Sequence, residues 1–186
     1  MLKHYDKQWL ASQLEEEKPV KYIFFWGHTP KADELVGKFC FSQWYELPFT
    51  VDGITYRTAE HWMMAKKALL FNDLEIHDKI IEAVKPAEVK ELGREVKNFD
   101  DQLWKDHRYE IVKQGNIHKF SQNQPFADYL LTTGDRVLVE ASPRDTIWGI
   151  GLGGENPKAQ HPDTWRGLNL LGFALMEVRD ILKENQ

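Results

Sequence analysis

Residues 58–71, TAEHWMMAKKALLF, constrain this chain more than any other stretch. Wound at about 100° per residue, the segment sets Met63, Met64 and Phe71 on one side and Trp62, Ala65 and Leu69 on the other. A helix apolar on both sides has to be buried. Thr58 stands where an N-cap belongs. The same segment nevertheless carries Glu60 and Lys67. Taking Glu60 as the reference direction, Lys67 falls at about −20°, Phe71 at about +20°, Met64 at about +40° and Met63 at about −60°. Both charges therefore share one apolar face, roughly 10 Å apart along the axis. That is too far for a direct pair unless both side chains bend inward. Charges on a buried face are costly unless something satisfies them. Two arrangements would do so: separate ion pairs with other elements, or a cleft that both residues line. In a cleft, burial would raise the carboxyl pKa and lower the amine pKa, which suits both to acid, base or nucleophile work.

The flanking sequence supplies the partners for such a helix. Residues 4–17 read as a short helix ended by Pro19, and VKYIFFWG (20–27) as a β-branched and aromatic strand. HTPKADELVGK (28–38) is a polar loop. In the aromatic stretch 39–57, Asp52-Gly53 between two β-prone runs signals a hairpin. Helical patterns follow at 72–84, at 85–96 with Pro86 in its first turn, and at 100–120, where Gly115 marks an end or break. PFADYLLTTG is a short helix stopped by Gly134, RVLVEAS (136–142) a strand, 143–163 an irregular Gly/Pro-rich segment, and the C-terminus an amphipathic helix with Asn169 near its start. With no repeat, low-complexity run or linker, the order predicts a mainly helical α+β fold with small strands, in one domain spanning residues 1–186.

Composition narrows the function. A net charge of −5 argues against non-specific duplex binding, which needs an excess of Lys and Arg, but leaves room for a local basic pocket holding a phosphorylated ligand. Cys40 is the only cysteine, so no intrachain disulfide can form, which points to a reducing compartment. MLKHYDKQWL lacks the apolar run of a signal peptide, and no uncharged apolar run approaches the roughly 20 residues of a membrane span. A cytoplasmic protein with no membrane partner is expected.

A second cluster, SPRDTIWGIGLGG, follows the 136–142 strand, at a strand end where ligand contacts often fall. Gly149, Gly151 and Gly154 match GxGxxG, but a dinucleotide fingerprint must open a helix, and Pro157 and Pro162 follow here instead. The glycines serve tight turns or close backbone approach. Asp145 and Trp148, three apart, are either a turn-capping Asp and a core Trp or a polar group beside a stacking surface. The seven histidines form neither HxH nor HExxH, and His61, beside Glu60 but turned about 100° away, reads as a packed or surface residue. Neither a GxSxG elbow nor a GxxxxGK[ST] loop is present.

FSQWY with TVDGITYRTAEHWMMAKKA, then LGR, LW and KF, and finally DTIWGIG with WRGLNLLGFALMEVR run in one order over residues 22–182. In this the chain resembles the NADAR superfamily, the YbiA-like or riboflavin-intermediate N-glycosidases. The resemblance implies a compact, mainly helical α+β enzyme that hydrolyses N-glycosidic bonds. Members act on phosphoribosylamino-pyrimidines of early riboflavin synthesis, and others remove ADP-ribose from modified guanine. Carried over by motif, the family's glutamate falls on Glu60, its helix lysine on Lys67, its arginine after glycine on Arg94 and its tryptophan on Trp104. Its late Asp-x-x-Trp-Gly falls on Asp145, Trp148 and Gly149, its asparagine before the last helix on Asn169, and the serine of its aromatic motif on Ser42. Two loops, 28–38 and 155–164, are longer than in compact bacterial members.

The resemblance favours the cleft arrangement for Glu60 and Lys67. Glu60 is then expected to stabilise positive charge on the sugar or activate water, and Lys67 to act by charge or to attack C1 as an amine. Trp104, Trp148 and Trp44 are expected to stack on the base, Arg94 to bind phosphate, and Asn169 to add hydrogen bonds. No cofactor or metal is called for. The expected partner is a phosphoribosyl or ADP-ribosyl small molecule, with ADP-ribosylated nucleic acid as an alternative substrate. A module that binds ADP-ribose or a related nucleotide without turnover is the reading from another class.

Overall fold

A computed structural model describes residues 3–185. The fold is α+β and mainly helical: α1 (Lys7–Glu15), β1 (Tyr22–Phe25), β2 (Phe49–Val51), β3 (Ile54–Tyr56), α2 (Ala59–Leu70), α3 (Leu74–Glu82), α4 (Pro86–Glu95), α5 (Asp101–Ser121), α6 (Gln124–Thr132), β4 (Val137–Glu140) and α7 (Leu170–Glu184), with short 3-10 turns between some of them. Two units are built from these elements, one from residues 43–124 and the other from the chain on either side.

In the 43–124 unit, α2 is the buried helix expected from its sequence. Thr58 caps it by accepting from the His61 amide at 3.3 Å. Residues Ala59 to Ala65 are all buried, with α3, α4 and α5 around them. Two of these neighbours approach α2 through a glycine. A Cβ on Gly93 of α4 would strike the Met64 sulfur, and one on Gly115 of α5 would strike the Trp62 ring. Gly115 therefore does not end α5, which runs on to Ser121. Its missing side chain makes room for Trp62, whose indole N–H donates to the Ile111 carbonyl at 2.8 Å. Leu69, expected on the buried side, is 39% exposed, whereas Ala68 and Phe71 in the same stretch are buried. The Asp52-Gly53 turn joins β2 to β3 with φ of 51° and 82°. Both values are positive, as a two-residue type I′ hairpin turn demands.

In the other unit, β1 and β4 pair in parallel, Tyr22 opposite Val137 through Phe25 opposite Glu140. Phe25, Phe41, Leu130, Leu138, Leu171 and Leu175 form its buried core. Phe41 meets Phe25 edge-on at 5.4 Å and stacks on Tyr129 at 5.5 Å. The last helix, α7, lies close on β4, for a Cβ on Gly172 would strike the Leu138 carbonyl. α1 is capped by Asp6, which accepts from the Trp9 amide at 2.6 Å. Just before it, Tyr5 donates to Asp180 of α7 at 2.6 Å.

Candidate active site

Five of the sequence-predicted residues lie in the 43–124 unit: Trp44, Glu60, Lys67, Arg94 and Trp104. Glu60, in the first turn of α2, is only 3% exposed, and its amide donates to the Gln43 carbonyl at 2.9 Å. A carboxylate near a helix N-terminus sits in a favourable dipole field. Its neighbour His61 is a packed residue, as its position suggested. The ring is buried, with Nδ1 2.8 Å from the Thr58 hydroxyl and Nε2 3.1 Å from the Ala83 carbonyl. A carbonyl only accepts, so Nε2 carries the proton and Nδ1 takes the Thr58 hydrogen. Burial lowers the His61 pKa below its ordinary value.

Lys67, two turns along α2, is half-buried. Its ammonium donates to the Gly93 carbonyl at 2.6 Å and lies 4.4 Å from the centre of the Phe99 ring and 5.7 Å from that of Trp104. Desolvation by these neighbours lowers its pKa. The structure thus brings Lys67 and Trp104 together and adds two groups that the sequence did not single out, the Gly93 carbonyl and Phe99. Both depend on the segment joining α4 to α5. Asp73, which caps α3 through the Ile76 amide at 3.3 Å, also accepts from the Lys97 amide at 2.9 Å. Lys97 itself binds Glu75 at 2.9 Å. Asn98, at φ 56°, then turns the chain so that Phe99 packs 5.2 Å from Phe71 and reaches over Lys67. The one local signal was Asn98, a residue type that tolerates this left-handed conformation. Arg94 is exposed in the last turn of α4, next to the glycine that holds Lys67. Trp44 is half-buried, with the Lys90 ammonium 5.8 Å from its ring centre.

Ser42, Asp145, Trp148, Gly149 and Asn169 belong to the other unit. Ser42 is half-buried and follows the 3-10 turn of residues 38–41. Asp145 has the turn-capping geometry: one carboxylate oxygen accepts from the amides of Ile147 at 2.8 Å and Trp148 at 2.7 Å. The Trp148 carbonyl accepts from Leu171 at 3.1 Å, which fixes its backbone from the other side. Its ring is half-buried. A Cβ on Gly149 would sit 2.8 Å from the Glu140 carbonyl, so only glycine fits there without a shift. Asn169 is fully buried, at φ 57°. Its carboxamide accepts from the Glu140 amide and donates to the Leu138 carbonyl, both at 2.9 Å. It seals the outer edge of β4.

Among the described residues no group of three or more His, Cys, Asp and Glu side chains is placed to hold a metal ion. No helix among them is long and apolar enough to cross a membrane. A buried carboxylate and a half-buried, partly desolvated amine thus stand on one helix, groups of the kind that acid–base and nucleophilic catalysis draw on. The chain belongs to the NADAR domain family, whose profile matches residues 24–183. An N-glycosidase of Acanthamoeba polyphaga mimivirus is 43% identical over 171 residues, 89% of this chain and 97% of that protein. N-glycosidase YbiA of Escherichia coli is 30% identical over 142 residues, 76% of this chain and 80% of the relative. The solution structure of E. coli YbiA superposes with a TM-score of 0.68 at 25% identity, covering 89% of this chain and 86% of that one. A riboflavin biosynthesis protein of Vibrio vulnificus is 34% identical over 144 residues, which span 77% of this chain but 35% of that protein.

Proposed function

We propose that this chain is an N-glycosyl hydrolase that cleaves the bond between a phosphorylated ribose and the exocyclic amine of an aminopyrimidine, a riboflavin-precursor type of substrate. The observation that carries the chemistry is the Lys67 amine, desolvated by Phe99 and Trp104 yet held by one carbonyl at 2.6 Å. Lowering its pKa enlarges the neutral, nucleophilic fraction at neutral pH. In the proposed sequence the ribose ring opens to an imine between C1 and the base nitrogen. Lys67 Nζ adds to C1, the base leaves as its free amine with a proton from Glu60, and water then hydrolyses the lysine imine. The products are ribose 5-phosphate, the free aminopyrimidine and regenerated lysine.

The riboflavin-type substrate is supported by the name of the Vibrio relative and by the family motifs. Arg94, as a guanidinium, suits the phosphate, and Trp104 offers a ring beside the amine. Ser42, Trp44 and Trp148 are carried as substrate-binding residues on the family pattern. Asp145, Gly149 and Asn169 belong to the same proposed substrate-binding set, and their backbone contacts also shape the loop. We treat residues 1–186 as one functional domain, because a single family profile runs from 24 to 183. A cytoplasmic setting fits the lone cysteine. The test is incubation with a phosphoribosylamino-pyrimidine and, in parallel, with ADP-ribosylated guanine. Release of ribose 5-phosphate from the first, read by mass spectrometry, is expected. Release of ADP-ribose alone would move the substrate assignment to the second.

A further inference from the structure

The outer edges of β1 and β4 are finished differently. The Val137 amide donates to the Lys21 carbonyl at 2.8 Å and the Ala141 amide to the Phe25 carbonyl at 2.9 Å. This phase turns the odd-numbered residues of β1 toward β4 and the backbone groups of Tyr22 and Phe24 away from it. On β4 the corresponding outward residues are Leu138 and Glu140. There the Asn169 carboxamide closes the pair formed by the Leu138 C=O and the Glu140 N–H, at 2.9 Å each, and the Ile150 amide takes the Glu140 carbonyl at 2.9 Å. One planar amide thus satisfies a C=O and an N–H two residues apart. The Tyr22 C=O and the Phe24 N–H make the same pair on β1, and no group among the described residues closes it. Among the described residues, the only bond made from that side is Lys38 Nζ to the Phe24 carbonyl, at 3.1 Å.

Tyr22 and Phe24 line a cleft of about 690 Å³, together with the Lys38 that bonds the Phe24 carbonyl from the outer side; the volume is within the roughly 300–1,000 Å³ typical of small-molecule sites. Trp26, one residue past the strand, lines it and is 65% exposed, a large apolar surface to leave in water. Lys38, Arg136 and Glu155 also line it, so it keeps an excess of positive charge in a chain of net charge −5. Arg136 spends Nε and Nη2 on the carbonyls of Thr133 and Thr132, at 2.8 and 2.6 Å, and Nη1 takes no part in either bond. The ammonium of Lys38 likewise has protons beyond the one on Phe24. An added peptide strand suits this edge poorly, because Lys38 already occupies the carbonyl that would continue the ladder. None of the ten residues considered above for catalysis or substrate binding lines this cleft.

We propose that the cleft binds a nucleotide whose base presents a lactam edge. The ring N–H donates to the Tyr22 carbonyl and the ring C=O accepts from the Phe24 amide, as the Asn169 carboxamide does on β4. The indole of Trp26 stacks on the base, and Lys38 and Arg136 take the phosphate. This assignment stands independently of the hydrolase reading. Calorimetric titration of the Glu60→Gln protein with guanosine 5′-monophosphate tests it, since that variant keeps the cleft while lacking the carboxylate proposed for turnover. Saturable binding of one equivalent is expected. It should weaken at least tenfold when Trp26→Ala is added or when the ligand is methylated at N1, and should persist when Trp104→Ala is added instead. Circular dichroism of the exposed Trp26→Ala variant should match that of its parent. Four results would each overturn the assignment: no saturable binding, equal binding of the N1-methylated nucleotide, equal binding of ribose 5-phosphate, or loss on Trp104→Ala with retention on Trp26→Ala.

Discussion

The surroundings of Lys67 and the loop running from Ser142 to Gly151 treat polar groups in opposite ways. In the loop, Asp145 holds the amides of Ile147 and Trp148 at 2.7–2.8 Å, and Asn169 gives its backbone amide to the Gly149 carbonyl at 3.1 Å while its carboxamide holds β4 at 2.9 Å. They make a rigid frame. Around Lys67 the polar atom is held by a single carbonyl and two ring faces, and the side chain stays half-buried. Residues of equally functional appearance in the sequence therefore do different work. Asp145 and Asn169 hold a shape, whereas Lys67, in the proposed function, presents the reactive atom. The contrast implies that substitutions around Lys67 change chemistry at little cost in stability, and that substitutions in the loop frame do the reverse.

The largest expected effect is on Glu60→Gln. The swap is nearly isosteric, so the fold should survive. Activity should fall by at least about a hundredfold, the usual scale for a removed acid–base group. Activity within threefold of wild type would remove Glu60 from the chemistry. Next is Asn169→Ala, which leaves the Glu140 amide and Leu138 carbonyl unmet inside the protein. It should cost about 2–3 kcal/mol, the scale of two orphaned buried groups, as read by urea denaturation. A loss below about 0.5 kcal/mol, within the range of ordinary surface changes, would mean that the β4 edge does not need its seal.

How much of this was legible follows from the range of each signal. The N-cap at Thr58, the turn at Asp52-Gly53 and the all-round apolar character of α2 are local, so spacing and residue type revealed them. Glu60 and Lys67 stood out because charge on an apolar face is anomalous within one turn-by-turn reading. Asn169 bonds to residues 29 and 31 positions earlier, and nothing in its neighbourhood announces a strand edge. The Gly93 carbonyl and Phe99 reach Lys67 from 26 and 32 residues further along the chain. Gly115 looked like a helix end because a glycine is read locally as a stop, and its purpose becomes visible only with Trp62 in place.

Smaller effects sharpen the contrast. Phe99→Ala uncovers the Lys67 amine, so its lowered pKa should rise toward the ordinary lysine value. Labelling of Lys67 by an amine-reactive reagent, followed by peptide mass spectrometry across pH, should show the midpoint move upward. A fixed or lowered midpoint would mean that Phe99 does not desolvate the amine. The smallest effect concerns His61. Its folded pKa lies below the ordinary 6.5, so the unfolded chain binds the proton more readily. The stability contributed by neutral His61 is complete above that value and is lost as pH falls through the folded pKa. Denaturation midpoints should therefore decline as the solution is acidified below about 6.5, and His61→Gln should flatten that decline. An unchanged slope in the variant would assign the acid sensitivity elsewhere.

The most direct test of the proposed chemistry is borohydride added during turnover of a phosphoribosylamino-pyrimidine, followed by mapping of the modified peptide. A reduced sugar adduct on Lys67 is the expected result. Lys67→Arg should abolish both adduct and activity, because a guanidinium keeps the charge but is a poor nucleophile. An active Lys67→Arg enzyme that forms no adduct would contradict the covalent route and leave Glu60 to act with an attacking water.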